Sequence, residues 1–115
     1  MNETQQLLAQ KAELEQQVQL ADLARKLETV PAFKKLILEH YFINETVRNV
    51  SISADPGLSE SQRADALAMA QASGHLRRFL QAQIAMGDQC KKVISEIDDA
   101  LEDLRREGAD EAGQE

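Results

Sequence analysis

The sequence predicts an all-α protein: an elongated helical hairpin or bundle, with a small helical head on an antiparallel, coiled-coil-like stalk. Three observations predict it. Residues 3–28 contain no Gly or Pro and are rich in Gln, Leu, Ala, Glu and Lys, which are all good helix formers. From Met69 to Leu104, apolar residues recur at alternating steps of three and four, the signature of one helix face. Only residues 46–53 are β-branched enough for a strand, and no second strand exists to pair with them, so helix is preferred there too.

Helix 1 is expected over residues 3–28. Leu7, Leu14, Val18 and Ala21 mark one face, and Leu20, Leu23, Leu27 and Val30 another. A stripe that shifts near residues 18–21 does not suit a strict two-stranded coiled coil, so this helix should meet more than one neighbour. Pro31 suits the first turn of the next helix, which puts the boundary at Thr29 or Val30. Residues 31–54 then hold short helices. Phe33, Leu36, Ile37 and Tyr41 give an amphipathic stretch over about 31–42, and Asn44 is a candidate cap for a further segment. Asp55-Pro56-Gly57 is a turn.

Ser59-Glu60-Ser61-Gln62 fits a capping box, with Ser59 as the cap and Gln62 reaching back. The long helix that follows is expected over 59–107. Its seam is Met69, Ala72, Leu76, Phe79, Gln83, Met86, Cys90, Val93, Ile97, Ala100 and Leu104, and it keeps phase across Gly74 and Gly87. Such a helix is roughly 70 Å long at 1.5 Å per residue. A compact globule of this chain length has a radius of gyration of about 13 Å, so either the chain is elongated or the helix breaks. Asp88 offers a cap for a break at Gly87, but the unbroken seam favours elongation. Residues 3–28 are expected to fold back on 85–107. The single domain spans 1–107, and 108–115 reads as a disordered acidic tail.

Composition bounds the function. The chain has 115 residues, 43% hydrophobic and 29% charged, with net charge −7. That is too apolar for plain disorder, and one cysteine excludes a disulfide scaffold. No stretch approaches the ~20 apolar residues of a membrane span, and the polar start Met1-Asn2-Glu3 is no secretory signal. A soluble protein of the host cytoplasm or a virion is expected, without a membrane partner. The sequons at Asn2, Asn44 and Asn49 carry no weight without a secretory signal. Charge is uneven: residues 1–30 net −2, residues 31–86 net +1 and residues 87–115 net −6. All four aromatics fall in the middle segment.

No catalytic constellation is present. His40 and His75 have no ligand spacing to Cys90 or to each other, so no metal or cofactor is expected. Cys90 occupies a seam position and reads as a small buried hydrophobe. Asp98-Asp99 and Glu102-Asp103 read as a solvated, charge-laced helix face, with Glu102 and Arg106 in favourable i, i+4 order. Gly57, Gly74 and Gly87 are scattered singly and make no phosphate loop. Phe33-Lys34-Lys35 and Arg77-Arg78-Phe79, with Arg48 and Arg63, offer a positive patch. Ordinary surface charge is the simpler account, and nucleic acid is not the expected partner. Gln83 is either a buried amide that fixes register or a solvent-facing residue; the sequence favours neither. The alanines at 64, 66, 68, 70 and 72 need no reading beyond helix propensity.

The block from Pro31-Ala32-Phe33-Lys34-Lys35-Leu36 through His40-Tyr41-Phe42, then Glu45-Thr46-Val47-Arg48, Ala54-Asp55-Pro56 and Leu76-Arg77-Arg78-Phe79-Leu80, resembles a group of small helical proteins of tailed bacteriophages encoded near structural genes. The resemblance spans about residues 28–88; the ends are generic helix. It implies a virion-associated or head-assembly accessory protein rather than an enzyme, and it transfers no functional residue. The expected mechanism is helix packing between proteins, with a homo-oligomer or virion proteins as partners. The expected interface is Leu7, Leu14, Val18 and Leu23 against Met86, Val93, Ile97 and Leu104, within or between chains, with Arg77 and Arg78 on the head. The acidic terminal segment supports a second expectation, an inhibitor that mimics DNA in the basic cleft of a host nucleic-acid enzyme.

Overall fold

The computed structural model describes residues 2–113, and every regular element among them is helical. Helix α1 spans Glu3–Thr29. Asn2 caps it in a reciprocal box that the sequence reading missed: Gln5 N donates to Asn2 Oδ1 at 2.8 Å, and Asn2 N donates to Gln5 Oε1 at 3.1 Å. At the other end Val30 is extended (φ −75°, ψ 117°), because the ring of Pro31 excludes the helical conformation from the residue before it.

From Pro31 the chain is helical to Ser53 without a break. A single α-turn (α2, Pro31–Phe33) leads into a π-helix over Lys34–Glu45 and then into α3, Thr46–Ser53. This corrects the expectation of separate short helices: Asn44 lies inside the rod and caps nothing. A π-helix of 12 residues is long for a conformation that is usually a single turn. Its wider winding brings residues five apart together. His40 Nε2 lies 3.6 Å from Glu45 Oε1, and Thr46 Oγ1 donates to the carbonyl of Tyr41 at 3.2 Å. The Asp55 carboxylate accepts from Gly57 N at 2.8 Å in the following turn.

Helix α4 spans Glu60–Gly113. The expected capping box is present, with Gln62 N to Ser59 Oγ and Ser59 N to Gln62 Oε1 both at 3.1 Å. The helix crosses Gly87 unbroken and passes the expected end at 107. Residues 108–113 are therefore helical, not tail, and the remainder of the expected tail lies outside the described residues.

The chain divides into two compact units. Unit 1 comprises residues 1–22 and 83–115, and unit 2 comprises residues 23–82. Unit 1 pairs the first part of α1 with the second part of α4, antiparallel, as expected: Lys11 meets Asp98, and Asp22 meets Lys91. Unit 2 joins the end of α1, the Pro31–Ser53 rod and the start of α4.

The buried residues are small. Of the seven buried hydrophobic residues among the described ones, Ala21, Ala24, Ala66 and Ala70 are alanines; Phe42, Leu80 and Ile97 are the large ones. Gly87 and Ser73 are buried beside them. This corrects the expected phase of the seam. Over residues 66–87 the inward positions are Ala66, Ala70, Ser73, Leu80 and Gly87, while Met69, Leu76, Phe79 and Met86 face solvent. From Cys90 onward the expected seam and the buried one coincide: Cys90, Val93, Ala100 and Leu104 are half-buried and Ile97 is buried.

Candidate interaction surfaces

In unit 1 the two helices approach closely at one point. A Cβ placed on Gly87 would run into the Cβ of Ala21, with Ala21 Cα 3.6 Å and the Gln17 carbonyl oxygen 3.7 Å away. Beside this contact, Gln17 Nε2 donates to Gln83 Oε1 at 3.0 Å in a part-buried pair. Gln83 thus has a specific partner across the seam. Toward the helix ends Lys11 Nζ donates to Asp98 Oδ1 at 2.6 Å. Donating to the Asp98 carboxylate raises the pKa of the Lys11 ammonium above its ordinary value.

The sites expected along this seam divide into two groups. Leu7, Leu14, Val18, Val93 and Leu104 are half-buried and Ile97 is buried, while Leu23 and Met86 are exposed. The acidic face is solvated. Arg105 Nη2 and Arg106 Nε lie 2.5 Å and 3.5 Å from Glu102 Oε1. The Arg105 hydrogen bond holds the Glu102 carboxyl below its usual range.

In unit 2 a hydroxyl pair ties the rod to α4. Thr46 Oγ1 and Ser73 Oγ are 2.5 Å apart, close enough for either to donate to the other, and the Ala70 carbonyl, 2.7 Å from Ser73 Oγ, is the alternative acceptor for the serine. The expected positive patch is reduced by its neighbours. Arg48 is bound to Glu45 at 2.8 Å, and this hydrogen bond lowers the Glu45 carboxyl. Arg63 is half-buried, whereas Lys34, Lys35, Arg77 and Arg78 are exposed. Arg77 and Arg78 line different hollows, the first with Phe42 and Leu80, the second with Gly74 and His75.

The division into units sharpens the charge split. Unit 1 carries 14 acidic and 5 basic residues, net −9, and unit 2 carries 6 and 8, net +2. Among the described residues no three His, Cys, Asp or Glu side chains are grouped to hold a metal ion. Nor, among the described residues, is any helix long and apolar enough to cross a membrane.

The large apolar side chains lie outside. Fourteen of them are exposed among the described residues, against three buried. On α1 the exposed ones are Leu8, Leu20, Leu23 and Leu27, with Val30 just beyond; on the rod, Leu36, Ile43, Val47 and Val50; on α4, Leu67, Met69, Leu76, Phe79 and Met86. Scattered surface leucines need no explanation, but contiguous rows mark contact surfaces. No family model, no curated protein and no solved structure matches the chain.

Proposed function

We propose that this is a non-enzymatic interaction protein that acts by helix packing. One observation carries the reading: alanine, glycine and serine, with Leu80 alone among the large residues, line the inner seam of α4 over residues 66–87, while Met69, Leu76, Phe79 and Met86 line its outside. A helix built that way has its own neighbours close by and its large side chains free for another protein. The resemblance over residues 28–88 supports a more specific role, a bacteriophage virion-associated or head-assembly accessory protein found in host cytoplasm or virion.

Purification of the tagged chain from the cells that make it tests this. The reading expects a capsid, portal or other virion protein to be recovered, and lost with Leu76→Asp/Phe79→Asp. The net charge of −9 on unit 1 supports the second reading, an acidic inhibitor of a nucleic-acid enzyme. That reading expects such an enzyme to be recovered, and lost when Asp98, Asp99, Glu102 and Asp103 are all reversed to Lys.

A further inference from the structure

We infer that the rod from Pro31 to Ser53 is a two-state element. It exchanges the π winding of Lys34–Glu45 for an α winding, and this turns the exposed aliphatic residues of the rod onto the start of α4. The device goes beyond the proposed function and does not depend on which partner the chain takes.

The rod carries two stripes of different period. The inward one is Phe33, Ile37 with Leu38, Tyr41 with Phe42, Glu45 with Thr46, and then Asn49, all buried or half-buried. It advances by four to five residues per turn until α3 begins. The second is Phe33, Leu36, His40, Ile43, Val47 and Val50, at steps of three, four, three, four and three, the pattern of one α-helix face. Leu36, Ile43, Val47 and Val50 are 50% to 62% exposed. An α-helix has about 3.6 residues per turn and a π-helix about 4.4. Over the 12 residues of the π stretch, rewinding as α advances α3 by roughly 0.6 of a turn and lengthens the rod by about 4 Å, which the turn after Ser53 takes up. Side chains about 0.4 of a turn ahead of Asn49 then come to the inside. Val50 and Val47 stand about 100° and about 160° ahead of it, either side of that position.

The two windings are balanced by what each buries. The π winding covers Phe42 and keeps His40 outside, but the buried residue of α3 is the polar Asn49. The α winding covers Leu36, Ile43, Val47 and Val50, but brings His40 in among them and turns Phe42 out. Burying an imidazole among aliphatic side chains is costly, and so is exposing a phenylalanine. Two links between residues five apart hold the π winding: His40 Nε2 with Glu45 Oε1 at 3.6 Å, and Thr46 Oγ1 with the Tyr41 carbonyl at 3.2 Å. In an α-helix such residues stand about 140° apart and the links are lost. The Thr46–Ser73 hydroxyl pair adds a third hold, from α4. Arg48, three residues from Glu45, keeps its pairing distance in either winding.

NMR couplings across hydrogen bonds, which name the acceptor of each amide, test the rod in the full chain. In the wild type the amides of residues 40–44 should donate to carbonyls five residues back. His40→Leu removes both the link to Glu45 and the polar member of the α stripe, and should move the donors to carbonyls four residues back. Phe42→Ala removes the aromatic that the π winding alone buries, and should act the same way by an independent route. Thiol labelling follows the rotation, with Cys90→Ala throughout. On adding His40→Leu, Val50→Cys should react about tenfold more slowly and Asn49→Cys about tenfold faster, as a minor state becomes the major one. A disulfide between Thr46→Cys and Ser73→Cys should hold the π winding even with His40→Leu. Five-back donors in both single variants, or four-back donors already in the wild type, would overturn the inference. So would a shift that survives the disulfide.

Discussion

Gly87 and Ala21 bring the two helices of unit 1 into close contact: a side chain on the glycine would need the space that the alanine methyl occupies. Gly74, on the same helix, has nothing within 4 Å of the place its Cβ would take. The two glycines should therefore respond oppositely to the same change. Gly74→Ala gains helix propensity and should stabilise by about 0.5–1 kcal/mol. Gly87→Ala forces the helices apart and should cost about 1–3 kcal/mol despite the same propensity gain. Urea unfolding midpoints of the two variants, read by circular dichroism, give the signs directly.

The Gln17–Gln83 pair should behave as a register lock. Gln83→Leu alone leaves the Gln17 amide without its partner and should destabilise by about 1–2 kcal/mol. Replacing both with Leu removes two polar groups together and should be nearly neutral or stabilising, while loosening the preference for one alignment. A double-mutant cycle with a non-additive term checks the coupling. Additive losses would mean that the two amides do not cooperate.

Lys11 and Asp98 set an alkaline limit. The folded-state pKa of Lys11 is raised above 10.5 by its bond to Asp98. Its contribution is therefore fully present below that unfolded value and is lost as pH rises through the folded one. The carboxyls of Glu45 and Glu102 are lowered, so their contributions are present above the unfolded value of 4.5 and fade as pH falls through the folded values. Asp98→Asn should remove part of the stability lost on the alkaline side. Urea midpoints across the alkaline range, with and without the substitution, test it; parallel curves would contradict the pairing.

Inside and outside should separate by mutation. Ile97 is 5% exposed, and Ile97→Ala should cost about 2–4 kcal/mol. Phe79→Ala removes a larger side chain from solvent and should change the stability of a dilute chain by no more than about 0.5 kcal/mol. Chemical unfolding of the purified variants compares them.

Much of the architecture was legible. The Ser59–Gln62 capping box, the helix boundary before Pro31 and the run of α4 across Gly87 all follow from local chemistry in the chain. The phase of α4 between Met69 and Met86 was not, for a physical reason. Large apolar residues dominate any reading of periodicity, and here Ala66, Ala70, Ser73 and Gly87 are inside because the neighbouring helices come close. The stripe that looked like a core is the surface. The π-helix left no trace in residues 34–45, because no residue type announces a wider turn. Asn2 was read as a sequon and is a cap. The helix beyond 107 was hidden by Gly108 and the acidic run after it, which resemble a tail in composition.

The central claim is that the outer row of α4 is covered when the protein works. Met69 is 53% exposed and reports on that row directly. Its rate of oxidation by dilute peroxide, followed by mass spectrometry in the purified chain and in the complex recovered from the cells that make it, is the decisive measurement. The account predicts fast oxidation of Met69 in the purified chain and slow oxidation in the complex. A rate equally fast in both would contradict it.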